Sequence, residues 1–250
     1  MVIGDADIWS DTFPEDLVPR LLDLVTTTWD LFVKPGPTDH EVPITRRFRH
    51  ALKQAKDLSR LPVRIEREPA EDHPLTGQEL GRIDLKFLPA VSALEQVYFA
   101  FECKRLNTFE NGVRRTLAAE YVTEGMMRFV TGQYASSVHS GGMIGYVLHG
   151  RSEEAIRLVE HNITSRGAEL GMTPPALLGR STARPDNPLI RETGHNLKSA
   201  RPFRLHHTFL ECGREITSGV TELGEPVSNR KSVTRGKRRK ALKTTSRVHE

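Results

Sequence analysis

The sequence predicts an α/β protein: a mixed central sheet, made of an antiparallel meander of three strands plus two further strands, flanked by helices. Three observations predict it. Two early segments repeat apolar residues at helical spacing. Three short alternating segments then follow one another with no helix between them, so they should pair as a meander. The later strands are separated by helical segments, which calls for crossover connections. The chain has 250 residues, enough for one well-packed α/β domain and at most a small extension.

The elements are expected in this order. Residues 14–33 repeat Leu17, Leu21, Leu24, Val25 and Leu31 as one stripe, and Pro14 suits a first helical turn. KPGPTDH (34–40) is a loop by composition. A second helix is expected over 41–58, with Glu41 near its start and a basic outer face. PVRIERE (62–68) reads as a strand, and PAEDHPLTGQ (69–78) as a turn. GRIDLKF (81–87) and VYFAFECKRL (97–106) alternate as strands. Residues 111–136 read as the longest helix, with Asn111 as its cap, and SGG (140–142) as its terminator. MIGYVLHG (143–150) is a buried strand. Residues 152–167 open with Ser and two acids and close with Arg and Gly, as a helix does. Residues 172–202, rich in Pro, Gly and polar residues, read as irregular, and FRLHHTFLEC (203–212) as the last strand. The expected organisation is an N-terminal helical extension (1–40), a core (41–212) and a basic tail (213–250).

Charge is unevenly spread. The last 22 residues hold nine Lys or Arg against one acid, which leaves the rest of the chain at −4 although the whole is +4. Such an arm is expected to lack structure alone. It reads either as a solvated tail or as a contact for nucleic-acid phosphates, through residues such as Lys237, Arg238 and Arg239. No apolar run approaches the ~20 residues of a membrane helix, and the acidic start lacks a signal peptide's basic n-region. Cys103 and Cys212 are the only cysteines and form no CxxC pair. A reducing cytoplasm is therefore expected, without a disulfide scaffold or zinc ribbon. The histidines show no HxH or HxxxH spacing, and His206 and His207 on one strand point to opposite faces, which argues against zinc. The glycine pair at 141–142 lacks the rest of a phosphate-binding loop.

The chemistry gathers at two strands. Residues two apart in a strand share a face. Phe99, Phe101 and Cys103 therefore point one way, and Glu102 and Lys104 the other. The same alternation sets Ile83, Leu85 and Phe87 in the core and Asp84 opposite. If the strands are neighbours, Asp84, Glu102 and Lys104 converge. Two close carboxylates raise each other's pKa, and a divalent cation removes that penalty. Magnesium fits, because it takes one or two protein carboxylates and completes its shell with water and phosphate. A lysine beside it can hold the attacking water and offset charge on a phosphate. The competing reading is an exposed ion pair, worth little. A charged pair in so apolar a strand, however, calls for a reason.

With Asp84 in GRIDLKF and Glu102 and Lys104 in FAFECKRL, the chain resembles the PD-(D/E)xK nucleases of restriction-endonuclease-like fold. The resemblance covers residues 41–150 well and 150–212 loosely. It implies a nuclease that depends on Mg²⁺ or Mn²⁺ and hydrolyses phosphodiester bonds of DNA, in bacterial restriction or phage defence. Asp84 and Glu102 would be metal ligands and Lys104 would lie next to the attacking water. Glu41 best matches the accessory acid, with Glu66 and Glu68 as competitors. RecB-type exonuclease relatives carry QxxxY in the helix after ExK; here Gln133 and Tyr134 are adjacent, a departure from that pattern. Arg105, Arg114 and Arg115 are candidate phosphate contacts, the last two at the expected start of the long helix. Specificity would come from a homodimer or a partner protein. The alternative is a non-catalytic subunit of the same fold that binds nucleic acid or a partner.

Overall fold

The computed structural model describes residues 13–72, 76–90, 92, 94, 96–134, 138–197 and 201–213, with backbone alone at 71, 72 and 80. The described residues belong to one compact unit, Met1–Glu215. The first twelve residues and the basic tail, with Lys237, Arg238 and Arg239, lie outside the described residues.

Two amphipathic helices come first: α1 (Leu17–Leu31) and α2 (Glu41–Ser59). β1 (Val63–Arg67) follows, then a small pair of β2 (Ala70–Asp72), within the segment expected as a turn, and β3 (Glu79–Arg82), just after it. β4 (Leu85–Pro89) and β5 (Phe99–Leu106) complete the meander, with β1 antiparallel to β4 and β4 antiparallel to β5. The expected three-strand pairing is therefore present, with a hairpin inserted.

The segment after β5 differs from expectation. β6 (Thr108–Glu110) and β7 (Val113–Arg115) form a second hairpin where residues 111–117 were expected to be helical. Asn111 and Gly112 are its two loop residues, both left-handed at φ 52° and 76°. Asn-Gly is the strongest short-range hairpin signal because both positions of such a turn need positive φ. Asn111 is thus a turn residue, not a helix cap. Helical structure runs only from 118 to 130: α3 (Ala118–Glu120), a π-helical turn (Tyr121–Met126) and α4 (Met127–Val130).

β8 (Ser140–Val147) starts at the SGG that was expected to end a helix. A Cβ on Gly142 would lie 2.3 Å from the Phe101 ring, so the glycine lets β8 lie against β5. α5 (Ser152–Ser165) is followed by β9 (Gly179–Arg180), β10 (Ile190–Asn196) and β11 (Pro202–Glu211). β9 and β10 lie in the segment expected to be irregular. The central sheet consequently has seven strands, in the order β1-β4-β5-β8-β11-β10-β9, two more than expected. β5, β8 and β11 are parallel neighbours, and the outer pairs are antiparallel.

Both faces of the sheet are covered. α1 and α2 pack on one face in a cluster with Phe87, Phe99, Phe101, Cys103 and Tyr146. The 118–130 segment and α5 pack on the other, with Tyr121, Phe129, Leu205 and Phe209. No helix among the described residues is long and apolar enough to cross a membrane.

A candidate charged centre at the end of the meander

β5 lies inside the sheet, between β4 and β8. Its Phe99, Phe101 and Cys103 face α1 and α2, and Ala100 and Leu106 face the other layer. Glu102 and Lys104 share that second face by alternation. In the β4–β5 register Leu85 opposes Phe101, so one step further along the strands brings Asp84 opposite Glu102. Asp84, however, is not in the strand as expected. It occupies a bend before β4, and Ile83 sides with the 118–130 layer while Leu85 and Phe87 side with α1 and α2. The bend frees the Asp84 carboxylate from the ladder. Its Oδ2 accepts the Cys103 N–H at 2.7 Å, one residue from Glu102.

Four side chains from three elements meet here: Glu102 and Lys104 of β5, Glu41 of α2 and Arg128 of α4. Glu102 is fully buried, and its Oε1 accepts Lys104 Nζ at 2.6 Å and Arg128 Nη1 at 3.0 Å. Lys104 Nζ also reaches Glu41 Oε1 at 3.4 Å, and Glu41 Oε2 accepts the Arg105 N–H at 3.0 Å. Glu41 is the first residue of α2, so the helix start delivers it to the strand. Glu66 is exposed on β1, and Glu68 pairs with Arg67. The fold therefore brings Glu41, of the three candidate accessory acids, into contact with Lys104.

Arg128 was not anticipated. It bridges Glu102 and the Tyr134 hydroxyl, which it reaches at 2.6 Å; the Tyr134 hydroxyl in turn donates to the Arg82 carbonyl. The π-helical turn explains the omission: its wider turn shifts the phase of the residues after it, so regular helical spacing misplaces Arg128. Gly125 permits the close approach, since a Cβ there would lie 2.4 Å from Met143 and 3.4 Å from Lys104.

The electrostatics follow from burial. Burial pushes the Asp84 carboxyl up to about 6, partly offset by the Cys103 N–H and Lys104. Burial and then the Asp84 charge push Glu102 up to about 8, although Lys104 and Arg128 pull it down. Burial lowers Lys104, but Glu102, Glu41 and Asp84 outweigh it and leave the ammonium raised. Three carboxylates face two cations, so a strongly held proton is consistent with both directions.

Glu102 Oε2 is buried without a hydrogen-bond partner. A buried unpaired carboxylate oxygen is costly, and this one lies on the side chain whose pKa burial, and then the Asp84 charge, raises. Hard oxygen donors of this kind suit Mg²⁺ or Mn²⁺. Among the described residues no group of three or more His, Cys, Asp or Glu is arranged to hold a metal ion; two carboxylates meet magnesium's modest demand for protein ligands.

The remaining candidates lie outside this cluster or are already paired. Arg105 pairs with Glu110 at 3.0 Å. Arg114 and Arg115 are on β7, not at a helix start. They pair with Glu154 at 2.5 Å and with Glu110 and Glu120 at 3.8 and 3.7 Å. The expectation that they reinforce a helix N-terminus fails, because the Asn-Gly turn makes that segment a hairpin. Cys103 lies in the apolar cluster, fully buried, and accepts the Tyr146 hydroxyl. His206 and His207 do face opposite sides: His206 lies near the Phe99 ring and His207 against Tyr121. A cavity of about 760 Å³, lined in part by Val18, His139, His195, Arg204 and His206, includes none of the four clustered residues. Convergent charge rather than cavity size identifies the candidate site.

A second buried polar network lies in the same layer. His195 Nδ1 is 2.8 Å from the Leu170 carbonyl, which can only accept, so Nδ1 donates. His195 Nε2 then accepts the Thr193 hydroxyl at 2.7 Å, and Thr193 accepts His207 Nε2–H at 2.9 Å. His207 Nδ1 is left to accept the Tyr121 hydroxyl at 3.0 Å. Both rings are neutral in this arrangement, in line with burial lowering both pKa values.

Comparison of the chain with protein-family models, with curated proteins and with solved structures found no match.

Proposed function

We propose that the chain is a divalent-metal-dependent nuclease of restriction-endonuclease-like type that hydrolyses phosphodiester bonds of DNA, in bacterial restriction or phage defence. The observation that carries this reading is the contact of Glu102 and Glu41 with Lys104, with Asp84 held on the adjoining Cys103 N–H and Glu102 Oε2 buried without a partner. Asp84 and Glu102 would hold the cation, which when bound supplies charge neutralisation and a more acidic water. Lys104 Nζ holds a fixed ammonium beside the carboxylates, where it can orient a water and offset charge developing on a phosphate. Glu41 fixes the Lys104 ammonium from the far side, and Arg128 holds Glu102 Oε1, leaving Oε2 as the available donor.

A second reading has its own observation. Lys104 and Arg128 already offset the Glu102 charge, which suits a non-catalytic subunit that binds nucleic acid or a partner. One gel separates the two. Plasmid is incubated with wild type and with Lys104→Ala, each with Mg²⁺ and with chelator. Cleavage by wild type with metal alone is the expected result. Absence of cleavage, or cleavage that survives the substitution or the chelator, rejects the nuclease assignment.

A further inference from the structure

One flank of α2 carries cations that the charged centre does not use. Arg46, Arg49, Lys53, Lys56 and Arg60 recur at alternating intervals of three and four residues, the spacing that keeps side chains on one helical face. The inner face holds Ile44, Thr45, Phe48 and Leu52, and the basic line runs about a quarter-turn round from it. Arg49 and Lys56 are half-buried: Arg49 donates to the Ile65 carbonyl at 3.1 Å, and Lys56 pairs with Asp57 at 2.6 Å. Arg46, Lys53 and Arg60 are exposed, with no acidic partner among the described residues. Arg60 closes the series at the C-cap.

Like charges three and four apart repel one another and weaken a helix, so this pattern suits a ligand that supplies the missing negative charge. The three exposed cations are seven residues apart, which sets them about 10 Å from one another along an axis of about 21 Å. The line also begins at the charged centre. Glu41, which contacts Lys104, precedes Arg46 by five residues, or about 8 Å.

We infer that this flank of α2 is a docking track for the phosphate backbone of a nucleic acid, which leads the strand to or from the centre at Glu41. The track's direction rests on the nuclease reading; its capacity to bind does not. Regular spacing of point charges without base-reading geometry makes the contact electrostatic and independent of sequence.

The test is binding of a fluorescein-labelled DNA duplex to the full chain in chelator, over a salt series. The test variant carries Arg46→Gln, Lys53→Gln and Arg60→Gln. A charge-matched control carries Arg20→Gln, Arg157→Gln and Arg180→Gln, all exposed positions on other elements. Circular dichroism checks the fold of each. Loss of three phosphate contacts should flatten the slope of log affinity against log salt by about 2 to 3 and weaken binding roughly 100-fold near 0.1 M salt, with the control little changed. Unchanged binding in the test variant overturns the inference, as does an equal loss in the control, which would mean net charge alone is read. Binding lost in the test variant while wild type fails to cleave with Mg²⁺ leaves the track standing and rejects the nuclease. Cleavage by wild type with binding unaffected in the test variant does the reverse.

Discussion

Two polar networks of opposite character involve the face of the sheet that packs against the 118–130 segment. The Tyr121–His207–Thr193–His195 chain is neutral and closed: every donor has an acceptor, and the last link ends on a backbone carbonyl. The Glu102–Lys104–Arg128–Glu41 cluster is charged and open, with Glu102 Oε2 buried and unpaired. A satisfied network rigidifies the core and asks for nothing more, whereas an incomplete one retains a cost that a ligand can remove. The first therefore reads as architecture, tying the π-helical turn to β10 and β11, and the second as a site.

Substitution should break that contrast most visibly in activity. Glu102→Gln keeps the shape but withdraws the charge, and should lower Mg²⁺-dependent plasmid cleavage by at least about 100-fold. His207→Phe should retain cleavage in the same assay. In stability the ranking reverses. His207→Phe orphans the Tyr121 hydroxyl in the core and removes the donor to the Thr193 hydroxyl, and should cost about 2–4 kcal/mol in urea unfolding. Glu102→Gln should cost less than this, because burial already favours the uncharged form of that carboxyl.

The two networks were not equally legible in the sequence, for physical reasons. β5 announced itself because Phe99, Phe101 and Cys103 alternate against Glu102 and Lys104 inside an apolar run. β10 was missed because the positions it buries beyond Ile190 are Thr193 and His195, so the polar network erased the strand's hydrophobic pattern. Asn111-Gly112 was present as a hairpin signal, yet the apolar residues that follow at near-helical spacing outweighed it. Arg128 was hidden by a phase shift that only the π-helical turn reveals. α1 and α2 were legible from periodicity, except that Leu31, expected in the buried stripe of α1, is exposed at the helix's last residue.

A smaller effect sharpens the contrast through pH. The Asp84 and Glu102 carboxyls bind protons more tightly folded than unfolded, at about 6 and about 8 against ordinary values of 3.8 and 4.5. Their stabilising contribution is thus complete below their unfolded values and is lost as pH rises first through about 6 and then through about 8. Comparing urea midpoints between about pH 5 and pH 9, wild type should lose more stability than Glu102→Gln over the upper part of that range. Coincident profiles would mean that Glu102 is ionised throughout.

The claim that the open network is completed by a hard cation is tested most directly by calorimetric titration of Mg²⁺ into the protein near neutral pH, in two buffers of different ionisation enthalpy. Saturable binding is expected, with protons released into the buffer as Asp84 and Glu102 ionise, and with Glu102→Gln abolishing both. No saturable heat in wild type, or binding that releases no protons and survives Glu102→Gln, would contradict it.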